Sequence, residues 1–137
     1  MGSYTAGDRN VAQHTSQTVT ATSDGTGTGQ INDGIGHVLV GGNGSDANNI
    51  ATLPAHSMGL VVYITTGVAC ELRIKTGDAS KSMNGQGMTN GAGAQIKELA
   101  LSASKFYKCH CISSTAWFVS MVNADGTVSG GGTPDGV

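Results

Sequence analysis

Cys70-Glu71-Leu72-Arg73-Ile74-Lys75 alternates apolar and polar residues without a break. Successive side chains of an extended chain leave on opposite faces, so Cys70, Leu72 and Ile74 share one face and Glu71, Arg73 and Lys75 the other. The run predicts a half-buried β-strand. The other apolar runs are equally short and end at turn residues. His37-Val38-Leu39-Val40 stops at Gly41-Gly42-Asn43-Gly44, and Asn49 to Leu53 runs into Pro54, which ends the strand or places it at an edge. Gly59 to Thr65 is the most apolar run; apolar residues on both its faces predict a strand covered on both sides. Lys105–Ile112 and Thr115–Val122 read as two strands joined at Ser113-Ser114. Ala94–Ser104 contains helix formers, but its flanks are glycine-rich and Leu99 and Leu101 alternate, so a strand is expected over a short helix. Strand-like runs recurring every 8–12 residues or so with turns between them predict an all-β fold, an antiparallel β-sandwich of jelly-roll type.

Composition supports the same class. The chain has 22 glycines in 137 residues and 12% charged residues, against about 25% charged and about 7% glycine in globular proteins generally. Glycine and asparagine at this density supply many positive-φ positions, hence many tight turns. The length suits one domain. Seven Lys+Arg against nine Asp+Glu leave no basic field to gather phosphates, so no nucleic-acid partner is expected. The nearest basic cluster, Arg73, Lys75 and Lys81, is interleaved with Glu71 and Asp78 and reads as a solvated strand face. No run approaches the ~20 apolar residues of a membrane span, and no membrane partner is expected. Met1–Val11 lacks the pattern of a secretory signal, and Ala6 breaks a myristoylation motif that Gly2 would otherwise open.

Three zones emerge. Residues 1–30 are polar and end in Ser23-Asp24-Gly25-Thr26-Gly27-Thr28-Gly29. Apart from one candidate strand at Thr18–Thr22 they bury little apolar area alone, so they are expected to form an extended N-terminal arm, either disordered or ordered by a neighbour. Residues 31–137 form the sandwich domain, with a flexible C-terminal tail from Asn123 onward, in which Ser129-Gly130-Gly131-Gly132 is a flexible tail or a strand terminus.

No reactive constellation stands out. Cys109-His110-Cys111 places both thiols on one strand face and the imidazole on the other, a spacing shorter than paired zinc thiols use, and only Cys70 could extend the set. The three cysteines are therefore expected to be buried, free thiols. Ser57 beside His56 is the nearest approach to a nucleophile and base, without a G-x-S-x-G elbow around it. Gly25–Gly29 lacks the Lys-Ser/Thr and the helix of a phosphate loop and reads as a joint of the arm. Asp46 with Asn48 and Asn49 falls short of a calcium loop. The chain is expected to be no enzyme, with no cofactor and no metal.

Asn48 to Ala55, continuing through Gly59 to Ile64, resembles a module of phage virion structural proteins. The landmarks follow in order: a Thr-Leu-Pro strand end (Thr52-Leu53-Pro54), an apolar strand, a Thr66-Gly67 turn, a second strand, a Gly77-Asp78 step and an Asn84-Gly85 turn. A Leu-rich strand, an aromatic strand ending near Cys109 and a strand bearing Trp117 complete the series over roughly residues 46–122. The first turn departs from the Asn-x-Gly frequent in that family, and Met83–Ala94 is longer and richer in glycine. The resemblance implies a trimeric jelly-roll sandwich acting as a bacteriophage capsid decoration (cement) protein. It would bind the major capsid protein on the outside of the virion after synthesis in the host cytoplasm. Tyr4, Val11 and Val19 in the arm are the expected capsid contacts. The alternative is a receptor- or glycan-binding module of a head fibre or tail, with Trp117 or Tyr63 as the exposed aromatic.

Overall fold

The computed structural model describes residues 15–42, 49–75, 80–89 and 96–135. Its elements are β1 (Ser16–Thr20), β2 (His37–Gly41), β3 (Ile50–Thr52), β4 (Val61–Thr66), β5 (Cys70–Arg73), β6 (Ser82–Met83), β7 (Gln86–Gly87), β8 (Leu99–Leu101), β9 (Phe106–Cys111), β10 (Ala116–Val122) and β11 (Val128–Gly130), with a 3-10 turn at Gly27–Gly29. The protein is all-β, and the ambiguous stretch around Leu99 is the strand β8.

Eight strands form a large sheet in the order β1-β2-β4-β9-β10-β6-β7, with β11 also paired to β10; β3-β5-β8 form a small one. Pairing is mixed where uniformly antiparallel ladders were expected. β1 with β2, β2 with β4, β6 with β10 and β3 with β5 run parallel, while β9 is antiparallel to both β4 and β10. The reason lies in the route of the chain. After β2 it crosses to the small sheet for β3 and returns for β4, and a strand re-entering after such a crossover runs in its original direction.

The inward faces of both sheets contribute to one apolar cluster: Val19, Val38, Val40, Val62, Ile64, Cys109 and Trp117 from the large sheet, Ala51, Leu72, Leu99 and Leu101 from the small one. The alternation read in the sequence is present in β5, where Cys70 and Leu72 are buried and Glu71 and Arg73 half-buried. Cys109 and Cys111 likewise point inward from β9 and His110 outward.

The N-terminal zone departs from expectation. Residues 16–20 are the edge strand of the large sheet, and Val19 and Ala21 lie in the core. The Gly25–Gly29 joint is an ordered turn, not a loose one. Asp24 Oδ1 accepts hydrogen bonds from the Thr26 amide (3.0 Å) and hydroxyl (2.7 Å), and Thr52 Oγ1 donates to Gly25 O at 2.8 Å. The described part of the expected arm is thus part of the body. Its small residues bury little area each, but Val19 and Ala21 fill core positions that the strands beyond residue 31 leave open.

The expected flexible tail is also fastened. β11 pairs with β10, Pro134 is buried, and Glu98 and Asp135 exchange backbone hydrogen bonds at 3.0 and 3.3 Å. Asn84 holds this region together. With Gly85 it makes the two-residue turn between β6 and β7, both at positive φ (52° and 80°), the type I′ geometry that Asn-Gly favours. Its side chain accepts from the Val119 amide (2.7 Å) and donates to Val119 O (3.0 Å) and Gly132 O (2.8 Å). The amide group thereby serves as a ladder partner for β10, between its contacts with β6 and with β11.

Candidate interaction surface

The residues of the large sheet that alternate with the core ones form its outer face. The strand registers arrange them in three rows. Val61, His110 and Phe118 lie side by side in the first. Ser16, His37, Tyr63, Lys108 and Ser120 form the second; Thr18, Leu39, Thr65, Phe106, Val122 and Val128 form the third.

This face is unusually apolar for a solvated one. Phe118 is 53% exposed, Leu39 46%, Tyr63 38% and Val128 65%. Tyr63 and Phe106 stack with ring centroids 5.4 Å apart and planes 3° from parallel, and His37 meets the Phe106 ring edge-on at 6.4 Å. The stack presents a broad, stiff aromatic surface, since each ring blocks rotation of the other. Lys108 is the single fixed charge in the three rows, and no carboxylate lies in them. The face also has relief. At the first row Phe118 lines a cleft with Ser120 and Gly130–Gly132, while at the third a cleft of about 590 Å³ opens between Leu39, Phe106 and Val122, walled by Lys105 and Asn123. One finding corrects the reading of β4. It was expected to be covered on both sides, yet within the chain only Val62, Ile64 and Thr66 are buried.

No protein-family profile, curated protein or solved structure matches the chain.

The residues singled out from sequence fall in different places. Val19 is fully buried in the core of its own chain, so it is no surface contact; Tyr4 and Val11 lie outside the described residues. Trp117 is fully buried, its ring 5.9 Å from that of His56, so of the two aromatic suspects only Tyr63 is presented to solvent. His56 and Ser57 line a shallow cleft of about 320 Å³ with Asp33. Ser57 and His56 are chain neighbours in a loop, without the strand-to-helix turn that positions a nucleophile and its oxyanion donors. The three cysteines are free and buried. Burial, reinforced by the Glu71 charge, pushes the Cys70 thiol up to about 12, and burial raises Cys109 further, so neither forms a reactive thiolate at neutral pH. Among the described residues no group of three His, Cys, Asp or Glu is placed to hold a metal ion.

The outer side of the small sheet is the chemical opposite of the large one. Glu71 and Arg73 project there from β5, near Glu98 and Asp135. Burial, then the charges of Glu98 and Asp135, raises the Glu71 carboxyl; burial raises that of Glu98 against the pull of Arg73. Glu71 Oε2, Glu98 Oε1 and Arg73 Nε are buried without a hydrogen-bond partner. Such a cluster costs stability, because desolvated charges here lack the close pairing that would offset their burial.

Apart from Tyr63, the residues of the outer face escaped the sequence reading, although a signal was present. Phe106-Tyr107 and Trp117-Phe118 are adjacent aromatic pairs, and neighbours on a strand cannot share a face. One member of each pair must leave the core.

Proposed function

We propose that this protein is a structural virion component, a decoration protein that binds and stabilises the outer surface of a phage capsid as a homotrimer. In this reading its two-sheet body is a β-sandwich of jelly-roll type. The observation that carries the reading is the exposed aromatic face on an all-β body: a contiguous apolar patch of this kind marks a protein–protein contact. The ordered landmarks over residues 46–122 and the scarcity of charge support the same conclusion. Several copies bound at once multiply weak contacts, so a small domain can hold a shell under internal pressure. Tyr4 and Val11, in the segment preceding β1, are the proposed contacts with the major capsid protein; Val19 is excluded by its burial.

The test is co-sedimentation of the purified full chain with intact capsids of the encoding phage, beside a chain lacking residues 1–14. Saturable binding by the full chain, lost in the shortened one, is expected. A full chain that stays in the supernatant overturns the decoration reading; a shortened chain that binds at full strength overturns the assignment of Tyr4 and Val11. One observation favours the second reading, a glycan- or receptor-binding module: Tyr63 is exposed on its stack with Phe106. Binding to a glycan array that Tyr63→Ala removes, without capsid binding, would select it.

A further inference from the structure

We infer that Thr133, Pro134 and Asp135 form a strap beside β8 that is closed in acid and lifts as the pH rises, with Glu98 as the titrating group. Strand register, burial and a glycine hinge carry the inference.

Glu98 and Asp135 exchange both backbone hydrogen bonds, at 3.0 and 3.3 Å, and so are a directly opposed antiparallel pair. Side chains so placed leave on one face with Cβ atoms about 5 Å apart, and like charges there oppose the pairing. On the other side of β8, the register sets Glu71 against Ala100 and Leu72 against Leu99. Continued by one residue, it brings Arg73 beside Glu98 and leaves Glu71 diagonal to it. Among the described residues, Asp135, Glu71 and Arg73 are the charged groups that act on Glu98. One cation thus stands among three carboxylates. It is shared further, because Arg73 Nε lies against Gly25 and its charge also acts on Asp24 in that turn.

Glu98 is only 5% exposed, and its Oε1 is buried without a hydrogen-bond donor. A carboxylate so placed is poorly solvated, so its neutral form is favoured. Protonated, Glu98 pairs with Asp135 without repulsion. Ionised, it gains water and distance from Asp135 only when the strap moves off. Closing therefore binds protons: closure is fully favoured below the ordinary 4.5 and is lost as the pH climbs through the raised range of Glu98. The movement has a defined limit. Gly132 sits at a φ of 93°, its carbonyl accepts from Asn84 Nδ2 at 2.8 Å, and Gly130 is paired with Ser120. The chain is held up to Gly132, and the three residues after it can swing without disturbing the large sheet.

The experiment is amide hydrogen exchange by NMR on the full chain, with rates divided by those of the unstructured chain at each pH. Between about pH 5 and about pH 8 the protection of the Glu98 and Asp135 amides should fall by about tenfold. Urea below the unfolding transition should leave their exchange unchanged, the mark of a local opening, while the Cys111 amide, bonded to Leu60 O at 2.8 Å, stays better protected at both pH values. Glu98→Gln cannot ionise and should keep its acid-state protection at the higher pH. Asp135→Asn, at an exposed position, removes the opposing charge and should show a smaller fall than the wild type. Equal protection of the two amides at both pH values in the wild type overturns the inference, whatever the variants do. So does a Glu98→Gln chain whose protection falls as the wild type's does, or exchange at Glu98 and Asp135 that urea accelerates in step with Cys111.

Discussion

Replacing Asn84 by alanine removes one side chain and three ties. The amide accepts from the Val119 N–H at 2.7 Å and donates to Val119 O at 3.0 Å and Gly132 O at 2.8 Å. Each bond contributes about 1 kcal/mol net, the solvent-exposed one to Gly132 less. Alanine must also hold the positive φ of 52° that asparagine tolerates better, a further fraction of 1 kcal/mol. The expected loss is about 3 kcal/mol. For a chain of 137 residues the unfolding entropy is about 0.3 kcal/mol/K, so the melting temperature should fall by about 10 °C. Scanning calorimetry of wild type and Asn84→Ala measures it. Asn84→Asp separates the contributions: it keeps an acceptor for the Val119 amide and the tolerance for positive φ, but it loses both donors. It should fall between the two. A drop of under 3 °C for the alanine variant would refute the view that this side chain stands in for a ladder partner of β10.

Other consequences are sharp enough to measure. Val19→Ala should cost about 2 kcal/mol in urea unfolding, because a fully buried side chain of the core is shortened; a neutral result would return this residue to the surface. Tyr107→Phe leaves the Ser102 amide without the phenolic oxygen that accepts it at 2.9 Å, and should cost about 1–2 kcal/mol by the same assay. Cys70 and Cys109 should resist iodoacetamide at pH 8 in the folded protein and react once guanidinium unfolds it; rapid alkylation of the native chain would contradict their burial. Glu71 and Glu98 have carboxyls raised above the ordinary 4.5, so the folded state holds more protons than the unfolded one just above that value. Stability should therefore decline as pH rises from about 4.5 through the raised range, and Glu98→Gln should flatten the decline; a Tm that climbs over that interval in the wild type would reverse the sign.

Much of the fold was legible because strands declare themselves locally. Cys70 to Lys75 alternates, Pro54 ends β3, and Asn84-Gly85 marks a hairpin; each signal depends only on near neighbours. Pairing direction was not legible, because it depends on where the chain travels between strands. The parallel neighbours β1, β2 and β4 result from crossovers to the small sheet, and no residue within these strands encodes them. The N-terminal zone misled for a different reason. Thr18, Thr20 and Thr22 flank only Val19 and Ala21, a poor apolar yield, yet Val19 completes a core whose other walls are supplied from distant residues. Low apolar content shows that a segment cannot fold alone; it does not show that the neighbour ordering it belongs to another molecule.

The same logic bears on the outer face, of which the sequence reading named only Tyr63 as an exposed aromatic. Tyr107 and Trp117 are buried, while their neighbours Phe106 and Phe118 face outward and join Tyr63 and Leu39 across the rows. Strand geometry alone requires one member of each pair outside, and the registers then gather the outward members on one side of one sheet. A chain with so few charged residues could have placed threonine or serine there, as it did along the outer side of β1. Exposed large apolar groups such as Leu39, Tyr63, Phe118 and Val128 lower solubility in an isolated monomer, because their hydration is unfavourable. They lower the free energy when a second surface removes them from water, which is what the proposed assembly would supply.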